Sequence, residues 1–155
     1  MAGSKFGDLE NWQAMLDRHG ELFTEMTPGS AVGVVPRAGS GIQPGKHVAS
    51  LENANNDNEM LVWQIREGHE AGMLASRRSY AGFKQANVDL LFVADDAALA
   101  ALQEALKADT LSIMKRLIRK GNIMFYVMKT KYQLQDAGYE EFLDSLGLAF
   151  LGACR

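Results

Sequence analysis

Cysteine, proline and histidine are scarce: one, three and three respectively in 155 residues. The lone thiol, Cys154, has no intrachain partner, which excludes a disulfide framework and a Cys-rich zinc site. Next to the last residue, it reads as part of a frayed terminus. His19, His47 and His69 fall into no H-x-x-x-H or H-E-x-x-H spacing, so no metal is expected and three surface histidines is the plain reading. No Gly-x-Ser-x-Gly elbow occurs. The adjacent pairs Asp95-Asp96 and Glu140-Glu141 diverge on a helix and read as capping and solvation. "GSGIQPGKH", Gly39 to His47, approaches a phosphate-binding P-loop. Ser40, however, stands where its first glycine belongs and His47 where the magnesium-binding hydroxyl belongs. No catalytic constellation assembles, and no cofactor is expected.

Long apolar runs are missing too. Nothing approaches the roughly 20 residues of a membrane span, and the N-terminus lacks a signal-peptide core, so a cytoplasmic setting is expected. Excess positive charge is likewise absent. The net charge is -3, and the longest basic cluster, Lys115, Arg116, Arg119 and Lys120, reads as a solvated edge, so nucleic acid is not an expected partner. A hydrophobic fraction of 47% fits one globular domain over residues 1–155, large enough to bury about two-thirds of its unfolded surface.

What is present is periodic. Apolar residues from Leu9 to Met26 recur at helical spacing, with Gly20 as a break. "AVGVV" (31–35), "MLVWQI" (60–65) and "VDLLFV" (88–93) read as strands, with a return strand beginning at 72–75. A polar, Gly- and Asn-rich loop spans 36–58, a length that in a small domain signals function or mobility. Asp95 or Asp96 caps a helix carrying Leu99, Leu102 and Leu106. Thr110 caps a second helix with Leu111, Met114, Leu117 and Ile118 on one side. Gly121-Asn122 reads as a turn and cap, and no Gly or Pro follows until Gly138. The stretch from Ile118 to Leu134 therefore reads as strand, turn, helix, burying Ile123, Met124, Val127, Met128 and Leu134. The order of helix, strands, helices, without βαβ alternation, predicts an α+β fold with an antiparallel or mixed sheet.

Three segments, in order, resemble the sterol carrier protein type 2 family. They are "LVWQIREGHEAGML", a tryptophan-bearing strand with a glycine turn; "NVDLLFVADDAALAALQEAL", a strand and an acidic-capped helix; and "LIRKGNIMFYVMK". The likeness covers about residues 60–134. Asn122 stands where the family has aspartate, its Gly-Lys element is missing, the 36–58 loop has no counterpart, and the terminal "ACR" is not a peroxisomal import signal. The resemblance implies a mainly antiparallel twisted sheet with helices on one face around an apolar tunnel. It also implies non-catalytic binding or transfer of fatty acid, fatty acyl-CoA or sterol-like lipid. Each buried methylene of such a ligand contributes about 0.8 kcal/mol. The lining expected on that basis is Leu102, Leu106, Met114, Leu117, Ile123, Met124, Val127, Met128, Phe142 and Leu146, with Arg119 and Lys120 at the head group.

Two other readings stay open. One is a small enzyme acting on a hydrophobic substrate through the 36–58 loop, with His47 its residue to test. The other is an interaction module whose apolar tail, Phe142 to Leu151, packs on a partner. Oligomeric state and transient membrane contact are also left open.

Overall fold

A computed structural model describes residues 6–23, 26–37, 59–65, 73–79 and 87–147. The chain opens with helix α1 (Leu9–Arg18) and a 3-10 turn (Gly20–Phe23), so the helical period of residues 9–26 breaks at Gly20 as read. Strands β1 (Ala31–Pro36), β2 (Glu59–Ile65), β3 (Met73–Ser79) and β4 (Leu90–Ala94) follow. Helices α2 (Asp96–Ala105) and α3 (Thr110–Lys120) lead to β5 (Ile123–Val127), and the short helices α4 (Lys131–Asp136) and α5 (Glu140–Ser145) complete the described fold.

The five strands form one sheet in the order β3-β2-β1-β4-β5. Three ladders are antiparallel, and β1 runs parallel to β4 with Val32 opposite Leu90. This is the α+β, mainly antiparallel architecture the sequence predicts. β1 lies at the centre and is buried along its whole length, which is why "AVGVV" is continuously apolar instead of alternating. β3, paired antiparallel with β2, runs on through Arg77 and Ser79, two of its polar residues. As an edge strand it has solvent on one side to receive them.

Alternate strand residues divide the apolar side chains into two layers. In the first, Val32, Val34, Leu61, Trp63, Leu90, Phe92 and Ile123 pack against Trp12 and Leu16 of α1, Leu99 and Leu102 of α2, Met114 of α3 and Phe142 of α5. The helices thus cover one face. Its centre is aromatic: Trp63 lies 6.1 Å from Trp12 and 6.2 Å from Phe142, edge-on to the latter. The Trp12 indole N–H donates to the Phe6 carbonyl at 2.6 Å, whereas the buried Trp63 Nε1 has no partner.

The caps set the helix starts. Asp95 Oδ1 accepts from the Ala98 N–H at 2.8 Å, as expected for α2. For α3 the cap is Asp109 and not Thr110. Asp109 accepts from the Ser112 N–H and hydroxyl, while Thr110 is buried and donates its hydroxyl to the Ala105 carbonyl at 2.7 Å.

The segment 118–134 also differs from its sequence reading: it is helix end, turn, strand, then a new helix. Gly121 adopts φ +87°, and the Asn122 N–H closes back on the Leu117 carbonyl at 3.0 Å, a Schellman ending for α3. Asn122 caps no helix. Its Nδ2 donates to Asp95 Oδ2 at 2.8 Å and its carbonyl accepts from the Asp95 N–H, which docks Ile123 beside Ala94 and begins the β4–β5 ladder. The following helix waits for Thr130, whose capping box with Gln133 opens α4.

Candidate functional site

The opposite face of the sheet carries the second apolar layer: Ala31, Val35, Met60, Val62, Val88, Leu91 and Val93, all buried. Met124, Tyr126 and Met128 are half-buried against it. No residue of a described helix belongs to this layer. Gly33 lies at its centre, level with Val62 and Leu91 on the neighbouring strands. A Cβ there would meet the Met60 sulfur at 2.9 Å and methyls of Leu91 and Val88 at 3.3 Å. The missing side chain is therefore the space into which Met60 folds, a use that suits a flexible thioether.

β5 forms the border of this layer. It is an edge strand, yet Ile123 to Met128 includes no charge, proline or glycine, the devices that normally guard an edge. On the opposite face of the same strand, shared with Ile123 and Phe125, Val127 is 47% exposed. Burial raises the Tyr126 phenol above its ordinary range.

At the end of the sheet where β1 and β4 begin and β5 ends, the apolar surface gives way to a polar cleft of about 260 Å³. Thr27, Ser30, Asp89, Lys129 and Gln133 line it, with Leu134 and Ala137 as its apolar wall. Asp89 Oδ2 accepts from the Tyr139 hydroxyl at 2.6 Å and from the Ala31 N–H at 3.1 Å. The Tyr139 hydroxyl also lies 3.2 Å from the Ala31 carbonyl. Tyr139 is wholly buried. That burial, with the Asp89 carboxylate beside the phenol, holds its pKa far above the ordinary value, so Tyr139 serves as a fixed donor. The Thr27 and Ser30 hydroxyls are 3.2 Å apart. Gln133 spends its amide oxygen on the Thr130 N–H and keeps its amide hydrogens to donate.

The residues expected to line a ligand do not gather in one place. Leu102, Leu106, Met114, Leu117, Ile123, Phe142 and Leu146 are buried in the helix-covered first layer. Met124 and Met128 lie across the sheet on the second. Val127 shares its face with Ile123 and Phe125 by strand alternation but is exposed. The strand geometry of β5 is the reason: read as a helix, these residues share one face, whereas in a strand they alternate. Arg119 and Lys120 are exposed in the last turn of α3, where they complement the helix C-terminus. They sit beside the start of β5, at the opposite end of that strand from the cleft and Lys129.

Phe142, Leu143 and Leu146 are core residues and not an exposed tail; 148–151, like Cys154, His69, His47 and the loop at 38–58, lie outside the described residues. His19 ends α1 with its Nε2 buried and unpartnered. Among the described residues no group of three or more His, Cys, Asp or Glu is placed to hold a metal ion, and no helix is long and apolar enough to cross a membrane.

Sequence reasoning missed the cleft. Its signal was Asp89, a single carboxylate inside the apolar run "VDLLFV", since a charge in such a strand needs a partner. The partner, Tyr139, is 50 positions away.

No protein-family profile and no curated protein matches the chain. Among solved structures it is similar to a conserved hypothetical protein of Thermus thermophilus described as a possible sterol carrier protein. That match has 15% identity over 96% of this chain and 93% of that one, with a TM-score of 0.42. It is also similar to the apo form of sterol carrier protein 2 from Yarrowia lipolytica, at 12% identity over 91% and 88%, with a TM-score of 0.36.

Proposed function

We propose that the protein binds a long-chain apolar molecule, of the fatty-acid or sterol-like lipid class, without chemically changing it. The observation that carries this reading is β5. Its side chains Met124, Tyr126 and Met128 are half-buried and continue an apolar layer to which no described helix contributes. An unguarded edge of this kind calls for something apolar to cover it. Methionine suits a surface that must accept chains of varied shape. Met124 and Met128 are the ligand-lining residues kept from the sequence reading; the seven residues of the first layer serve as the packed support beneath the sheet.

Displacement of a fluorescent fatty-acid probe tests the proposal. Wild-type protein is expected to take up the probe and release it to unlabelled fatty acid. Met124→Glu and Met128→Glu should each weaken uptake at least tenfold, because a charge would then meet the chain. Probe binding by neither wild type nor variants would refute it. The same edge also suits a strand from a second copy. Light scattering across a concentration series separates the two, since a monomer that binds probe excludes the second copy as the cover.

A further inference from the structure

The cleft beside Asp89 has its own chemistry. A carboxylate, Asp89, and an ammonium, Lys129, line one small cavity, and no ion pair joins them. Asp89 is not a solvated surface charge: it is half-buried and gripped on one oxygen by a wholly buried phenol and a backbone N–H. Ser30, itself 4% exposed, adds a hydroxyl to the wall. One fixed acceptor charge, Asp89, and one donor charge on the exposed Lys129 complement a molecule with the opposite arrangement.

The cleft also adjoins the apolar layer. The Met128 N–H donates to the Asp89 carbonyl at 2.9 Å, Val88 precedes Asp89, and both Met128 and Val88 pack in the second layer. Lys129 directly follows Met128. Leu134 and Ala137, the cleft's apolar wall, pack with the first layer, so the cleft stands where the two layers meet at the end of the sheet.

We propose that the cleft is a head-group site for a zwitterion, an ammonium linked by a short chain to an oxyanion, with the ammonium on Asp89 and the oxyanion on Lys129. It rests on the apolar-ligand reading for the attached chains, but the polar group can be tested by itself. A phospholipid head and a free small zwitterion offer the same chemistry, and the probes tell them apart.

The full chain is titrated with O-phosphoethanolamine, with dihexanoyl phosphatidylethanolamine below its micelle concentration, and with phosphocholine, while backbone amide shifts are followed by NMR. Phosphoethanolamine is expected to shift amides at 27, 29–31, 88–90 and 128–134. Phosphocholine, whose quaternary nitrogen has no N–H to give Asp89, should bind at least tenfold more weakly. Asp89→Asn and Lys129→Gln should each weaken phosphoethanolamine at least tenfold. Asp89→Asn also disturbs Tyr139, so Lys129→Gln, at an exposed position, supplies the variant whose fold is not at risk. Tighter binding of the dihexanoyl lipid assigns the lipid source; equal binding assigns the free zwitterion. Absence of shifts at those amides with every probe, or wild-type affinity in Lys129→Gln, overturns the proposal. Normal fatty-acid uptake beside a silent cleft would sink the head-group site alone. Phosphoethanolamine binding without any acyl uptake would leave the site standing and sink the apolar-ligand reading.

Discussion

At the scale of single residues, the pair Tyr139–Asp89 does the most unusual work. A phenol wholly out of water donates its only hydrogen to a carboxylate and thereby ties the start of α5 to the start of the sheet. Tyr139→Phe keeps the ring but removes this donor, and is expected to cost about 1.5–3 kcal/mol in denaturant unfolding, the range for a hydrogen bond to a charged group. The pH dependence has a definite sign. The folded-state pKa of Tyr139 is raised above the ordinary phenol value, so its contribution is complete below about pH 10 and is lost as pH rises beyond it. Unfolding free energy should therefore fall from about pH 10 upward in the wild type, with a shallower fall in Tyr139→Phe. The slope remaining in the variant belongs in part to Tyr126, shifted the same way by burial. Identical slopes in the two proteins would contradict the assignment.

At the scale of elements, the turn at Gly121 decides what "IMFYVM" becomes. Gly121 has open space around a hypothetical Cβ, so its requirement is purely conformational: φ +87° disfavours any L side chain. Gly121→Ala should cost about 1–2 kcal/mol by this strain alone, and Thr130→Ala about 1 kcal/mol by removing the α4 cap. Both are measured by urea unfolding, and a neutral Gly121→Ala would argue against the Schellman ending. Strands β1, β2 and β4 and the Asp95 cap were legible because period, β-branching and capping all agree there. β5 was not. Six apolar residues with no internal break fit strand or helix alike, and the choice between them rests on a contact between Asn122 and Asp95, 27 positions apart, that no local pattern encodes. One local signal did exist in T-K-Y-Q, Thr130 to Gln133, the capping-box spacing that starts a helix only at Lys131. The cleft was less legible still, since Ser30, Asp89, Lys129 and Tyr139 meet only through tertiary structure.

At the scale of the whole molecule, one sheet separates two apolar layers of different character. The first is aromatic and closed by helices; the second is built from valines and methionines around Gly33 and is bordered by the half-buried Met124, Tyr126 and Met128 of β5 and its end. The two should respond separately to substitution. Gly33→Ala forces Met60, Leu91 and Val88 to give way, at a cost of about 1–3 kcal/mol. It should leave the near-ultraviolet tryptophan spectrum unchanged, because Trp12 and Trp63 both lie in the first layer. A changed spectrum would mean that the layers are coupled through the sheet.

Native mass spectrometry of freshly purified protein, before and after incubation with a mixture of fatty acids and sterols, tests apolar-ligand binding most directly. The expected spectrum shows the 17.0 kDa chain with an added mass of one lipid, lost on delipidation and regained on incubation. A spectrum of the bare chain alone, unchanged by every lipid offered, would contradict it.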